Sequence, residues 1–206
     1  MNLNKANSAF SIAMAWLVST ICISCANSPY INVDYRLPIE TQPMITEDPV
    51  YINAADLRSD TAILNDSAKK KFANFSGQFA LLIRESDNQQ SPLGHHDLQQ
   101  LFETAFAHRL NQLAVPIAEQ PPSETLRFQI DINRFHIGLA GNKWSAEIGY
   151  KASLIENKKR VSSETVTGSA ERPKLVGRGG AEKVIGEIFT DVINQLDIER
   201  LFRERN

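Results

Sequence analysis

Between Leu126 and Ala170 the apolar side chains fall on every second position. Leu126, Phe128, Ile130 and Ile132 make one such series, and Trp144, Ala146, Ile148, Tyr150, Ala152 and Leu154 make a second. Val161 to Ala170 follows as a Thr- and Ser-rich third segment. A period of two sends alternate side chains to opposite faces of a strand, so each series has one face that must be buried. Gly138–Lys143 and Glu156–Lys159 are the hairpin connections. The second is short enough to make its flanking strands antiparallel neighbours. The result is a meander with one apolar and one solvated face. Its polar face carries Gln129, Asp131, Asn133, Glu147, Lys151, Thr165 and Thr167, and is expected to stand open to water or to a partner.

Two helices supply the apolar surface that such a sheet needs. Leu98, Leu101, Phe102, Ala105, Phe106, Leu110 and Leu113 recur at steps of three and four, behind a start near His96 or Asp97. The run Pro116 to Pro122 ends that helix. Val184, Ile185, Ile188, Phe189, Val192, Ile193 and Leu196 form the second stripe, with Glu182, Lys183, Glu187, Asp191 and Gln195 off it. Asp197 to Asn206 adds a short amphipathic turn that packs Leu201 and Phe202. Upstream, Val50–Arg58 reads as a first strand ending in a polar turn. Ser59–Asn74 reads as a connection with a helical turn around Asp66–Phe72, Phe75–Glu85 as a second strand, and Ser86–Gly94 as a loop. The order β, β, α, β, β, β, α predicts an α+β two-layer sandwich, both helices on one face of a largely antiparallel sheet, as a single domain over residues 49–206.

The beginning of the chain is of another kind. Lys5 precedes an apolar run from Ala9 to Ile23, which closes on Ser24-Cys25. A charged start, a short apolar segment and a small-residue exit make a signal peptide, here residues 1–24. The run is shorter than the roughly 20 apolar residues of a permanent membrane helix. A small residue directly before a cysteine resembles the lipobox of bacterial lipoproteins, in which the leader is removed and the cysteine becomes the lipidated first residue. Cys25 fits that role because Ser24 precedes it. Cys22 fits poorly because bulky Ile21 precedes it, and its own place three before Cys25 is usually held by Leu, Val or Ile. An ordinary secretory leader, or a retained membrane anchor, remains the alternative. No cysteine follows Cys25, so disulfides, Cys-ligated metals and cysteine nucleophiles are excluded from the remainder of the chain. The resemblance also implies a destination. Ala26 follows the cysteine where an Asp would mark retention at the inner membrane, so the expected location is the outer membrane, facing the periplasm. Residues 25–48, spaced by Pro29, Pro38 and Pro43, read as a lipidated tether. As a flexible chain it would span on the order of 25 Å. Tyr30, Ile31, Val33, Tyr35 and Leu37 leave open that part of it docks on the domain as an extended segment.

Chemistry-bearing residues are sparse. The formal net charge is −2, and removal of the leader with its Lys5 makes the mature chain one unit more negative. That balance gives no footprint for nucleic acid. Lys69-Lys70-Lys71 and Lys158-Lys159-Arg160 read as solvated loop faces. His95 and His96 are adjacent and so do not share a helix face; His108 lies on the first helix, and His136 at a strand end. No His-x₃-His or His-Glu-x-x-His spacing occurs, and neither a metal nor a cofactor is expected. No Gly-x-Ser-x-Gly elbow is present, and Ser169 lies within a strand segment. Gly177-Arg178-Gly179-Gly180 precedes a helix without Rossmann or P-loop spacing and reads as a hinge. Asp56-Leu57-Arg58 reads as a charged turn with a solvent-exposed ion pair of at most about 1 kcal/mol.

Taken together, Ser24-Cys25, the strand ending Asp56-Leu57-Arg58, the helix Leu98–Leu113, the antiparallel meander and the last helix Ala181–Leu196 resemble the small bacterial lipoproteins of YajG type. The element order is similar, more distantly, to the auxiliary lipoproteins of ABC transporters and to the lipoprotein partner of the lipopolysaccharide translocon. These families imply a non-enzymatic role, with a membrane anchor at Cys25 and a protein, lipid or glycan partner in the cell envelope. They carry over no catalytic residue. Two other readings stand beside this one. One is an auxiliary lipoprotein of an ABC-type lipid-transport system. The other is a periplasmic hydrolase using His95, His96 or His108 with Asp97 or Glu103.

Overall fold

The computed structural model describes residues 28–39, 48–86, 89–120, 126–174 and 179–205. Cys25 and the leader lie outside the described residues, as do Gly177 and Arg178. Among the described residues, seven strands and four helices follow one another in the order β1 (Tyr30–Arg36), β2 (Val50–Asp56), α1 (Asp66–Lys69), β3 (Gln78–Ser86), β4 (Gln89–His96), α2 (Leu98–Gln112), β5 (Leu126–Ala140), β6 (Lys143–Glu156), β7 (Lys159–Pro173), α3 (Gly179–Gln195) and α4 (Ile198–Arg203).

The chain has the α+β class, and the meander β5-β6-β7 is antiparallel throughout. Asn157 and Lys158, both at positive φ, make the two-residue turn between β6 and β7. The strands nevertheless form two sheets where one was expected, in the orders β1-β3-β4 and β2-β5-β6-β7. Two elements were absent from the sequence reading. Gln89–His96 is β4, where Ser86–Gly94 was read as a loop, and it pairs antiparallel with β3. Within the stretch read as a tether, Tyr30–Arg36 is β1, paired in parallel with β3 from Tyr30↔Gln78 to Arg36↔Arg84. Ile31, Val33, Tyr35 and Leu37 are buried, so the docked extended segment is the form this part of the stretch takes.

The two sheets share one core. Phe79 of β3 meets Phe135 of β5 edge to face at 5.2 Å, and Phe102 of α2 lies against Phe135, Tyr150 and Phe189 at 5.3 to 6.4 Å. Such pairs add about 0.5–1.5 kcal/mol each beyond the burial of the rings. The connectivity interlocks the sheets. β1 and β2 are each the outermost strand of a sheet, and each has its outer edge sealed by the helix that follows the other sheet. On β1, Glu182 of α3 accepts from Asn32 N–H at 3.4 Å and its amide nitrogen at 2.9 Å. Thr190 accepts from Arg36 N–H, and Asn194 donates to Arg36 C=O. On β2, Glu103 of α2 accepts from Ala54 N–H at 2.8 Å, and Val50 bonds Pro116 and Ala118 just beyond that helix. An unpaired strand edge is a template for association. Here it survives, among the described residues, only on β4 and β7.

Helix α3 ends inside the core, where its last carbonyls have no partner within the helix. The Tyr150 hydroxyl donates to Val192 C=O at 2.8 Å, and the buried Arg109 guanidinium donates to Ile193 C=O. A cation at a helix C-terminus also meets the negative end of its dipole. Burial pushes the Tyr150 hydroxyl far above the ordinary range for a phenol, so it remains a donor.

Candidate functional site

Both long helices pack on the inner face of the β2-β5-β6-β7 sheet, which leaves its outer face uncovered. Asn53, Gln129, Asp131, Glu147 and Lys151 are half-exposed there, and Asn133, Thr165 and Thr167 are exposed. This is the polar face expected from the alternation. Its residues are tied to one another, along β5 and across to β2 and β6. The Asn53 amide donates to Gln129 at 3.0 Å, Gln129 donates to Asp131 at 2.9 Å, and Arg134 pairs with Glu147 at 2.5 Å. The arrangement presents alternating donors, acceptors and both signs of charge on a fixed backbone.

One end of this face is set by Asp56-Leu57-Arg58. β5 is bulged between Ile132 and Arg134, so its pairing with β6 shifts there. A bulge leaves backbone groups to be satisfied from elsewhere. Leu57 N–H donates to Ile132 C=O at 2.9 Å, and the Arg58 Nη1 donates to Phe135 C=O at 3.0 Å. The rest of the guanidinium grips Asp56 in a two-point fork at 2.8 Å on each oxygen. The Arg58 side chain is only 5% exposed. The expectation of a solvent-exposed pair is therefore corrected: this is a nearly buried cation whose donors hold a bulge. Arg58 holds the Asp56 carboxyl below its ordinary range, against a smaller opposing effect of burial. Leu57, between them, is held 59% exposed. Beside it lies a cleft of about 220 Å³ lined by Arg58, Asp60, Asn133, Arg134, His136 and Glu147.

The histidines do not form a site. His95 and His96 lie at the end of β4 rather than at a helix start. His95 stacks on Tyr30 at 4.2 Å, and His96 Nε2 bonds Leu93 C=O at 3.0 Å. Burial lowers the pKa of His108, with the charge of Glu85 opposing it. Both acids considered as catalytic partners have structural duties. Asp97 is the N-cap of α2, in a reciprocal capping box with Gln100, and Glu103 seals β2. No group of three or more His, Cys, Asp or Glu side chains among the described residues is disposed to hold a metal ion. Ser169 is exposed on β7. A wider groove of about 550 Å³ along α3 contains ion pairs already made, Arg172 with Glu187 at 2.6 Å and Asp34 with Arg84 at 2.6 Å.

The sequence did not reveal the sealing acids Glu103 and Glu182 or the burial of Arg58. Their partners are backbone groups on distant strands. The one local signal was Asp-x-Arg at a strand end, which is compatible with an exposed turn as well.

No described helix is long and apolar enough to cross a membrane. No protein-family model matches the chain, and no curated protein matches it. Among solved structures it is similar to protein XCC0632 from Xanthomonas campestris, at 15% identity over 82% of this chain and 95% of that one, with a TM-score of 0.45. It is also similar to a putative lipoprotein from Caulobacter crescentus, at 10% identity over 50% of this chain and 76% of that one, with a TM-score of 0.34. A minor lipoprotein from Acinetobacter baumannii matches at 12% identity over 48% of this chain and 85% of that one, again with a TM-score of 0.34. At these scores the three are likenesses in outline, and they support no assignment of family or activity.

Proposed function

We propose that this chain is a non-enzymatic bacterial lipoprotein. Acyl chains on Cys25 hold it to the outer membrane, and its domain binds a protein, lipid or glycan partner on the periplasmic side in envelope assembly or transport. The observation that carries the binding role is the uncovered polar face of the four-stranded sheet, bounded by the Arg58-braced bulge and the exposed Leu57. The anchor rests on Ser24-Cys25 and on the absence of any later cysteine. The structural duties of Asp97 and Glu103 argue against the hydrolase reading, since neither acid is available to activate a histidine. A photo-crosslinking residue at Thr165 or Gln129, tested in intact envelopes, should capture one and the same partner. The same residue at Glu199, on α4, should capture none. Absence of adducts at both face positions, or equal adducts at Glu199, contradicts the proposed face.

A further inference from the structure

The domain begins almost at the anchor. Only Ala26, Asn27, Ser28 and Pro29 separate Cys25 from β1. Four peptide steps from Cys25 to Pro29 span at most about 14 Å, whatever their conformation. The far end of that short leash is fixed, because Ser76 N–H and its hydroxyl both donate to Pro29 C=O, at 2.8 Å each. If Cys25 is lipidated, the loop between α1 and β3 is therefore held at the bilayer surface. What lies in that loop is suited to such a place.

Lys69, Lys70 and Lys71 are exposed at the end of α1. Phe75 N–H donates to Phe72 C=O, which closes the loop and sets the lysines and Phe75 at one end of the domain. Next to the lysines is a groove of about 390 Å³, with Thr61 and Lys69 on its polar side, part-exposed Ile63 and Phe75 and exposed Ala73 on its apolar side, and buried Leu64 and Phe72 as its floor. Apolar side chains flanked by lysines are the composition of a surface that rests at the headgroup boundary.

We infer that this end of the domain, Lys69-Lys70-Lys71 with the Ile63–Phe72–Phe75 groove, is a membrane-docking surface for anionic lipid headgroups. The inference rests on the anchor reading of Cys25. It deepens that reading by fixing which side of the domain faces the bilayer. The open sheet face then stands sideways to the membrane rather than against it, reachable by a partner in the same leaflet.

The test uses the full lipidated protein. Because no cysteine follows Cys25, Ala73→Cys introduces a single free thiol for an environment-sensitive fluorophore, and Glu199→Cys serves as the control at the opposite end. Both are reconstituted into phosphatidylethanolamine vesicles with and without phosphatidylglycerol, with nitroxide-labelled lipid as the quencher. The label at position 73 should be blue-shifted and quenched from the lipid, most strongly with phosphatidylglycerol, and the label at 199 should be neither. Each lysine at an anionic surface strengthens association by about fivefold. Replacing all three by Glu should therefore cut the docked-to-undocked ratio by more than about tenfold, while the protein stays on the vesicles. A vesicle-bound protein whose label at 73 behaves like that at 199 overturns the docking surface and leaves the anchor standing. Docking unchanged by the lysine replacement overturns the role given to the lysines. A protein that does not float with the vesicles overturns the anchor reading, and the inference with it.

Discussion

Arg58 donates three side-chain hydrogen bonds from a guanidinium that is almost wholly removed from water. Removing one partner of a buried pair costs about 3–5 kcal/mol, because the other charge is left uncompensated. Asp56 is 25% exposed and can recover some hydration, so the lower end applies. Arg58→Leu is expected to destabilise the domain by about 3 kcal/mol in urea unfolding. The same pair sets an acid limit. Asp56 has its folded pKa depressed, so its contribution is complete above the unfolded value of about 3.9 and is lost as pH falls through the folded one. Stability should drop below about pH 4, and Asp56→Asn should flatten that part of the profile. A full acid limb retained in Asp56→Asn would show that other carboxylates control it.

At the scale of elements, the sealed strand edges decide whether two small sheets make one domain. Gly186 of α3 crosses β1 so closely that an added Cβ would meet Asp34 C=O at 2.9 Å and its N–H nitrogen at 3.2 Å. In an ordinary helix interior Gly→Ala gains about 1 kcal/mol. Here the contacted atoms are backbone and cannot swing away, and forcing a helix off its seat costs about 1–3 kcal/mol. The contact at 2.9 Å with a backbone oxygen puts the steric term toward its upper end, and Gly186→Ala is expected to lower stability by up to about 2 kcal/mol in denaturant unfolding. A gain instead would mean that α3 does not press on β1 in this way. The legibility of these elements follows from how local their causes are. The β5-β6-β7 meander and the two long helices were readable because periodicity and a two-residue turn are written within each segment. β4 was not, since Gln89-Gln90-Ser91-Pro92 has no alternation and is a strand only through its pairing with β3. β1 does alternate, at Ile31, Val33, Tyr35 and Leu37, but its partner lies beyond β2 and α1, and nothing in 30–37 names it. Of the candidate site, the polar face was legible residue by residue. The bracing by Arg58 was not, because burial depends on the bulge that it serves.

At the scale of the molecule, the position of β1 changes what the amino-terminal segment does. A tether of residues 25–48 would hold a domain well clear of the bilayer, whereas a domain whose first strand starts at Tyr30 is kept within a short leash of Cys25. In the proposed anchored form, the lysine loop, the open sheet face and the exposed Leu57 would take set orientations relative to the membrane, which a freely swinging domain would lack. All of this depends on covalent chemistry at one residue. The most direct measurement is mass spectrometry of the amino-terminal fragment of the protein extracted from membranes. The account predicts loss of residues 1–24 and a first residue, Cys25, carrying diacylglycerol on its sulfur. An unmodified Cys25 thiol, or a mature terminus at any other residue, would contradict it.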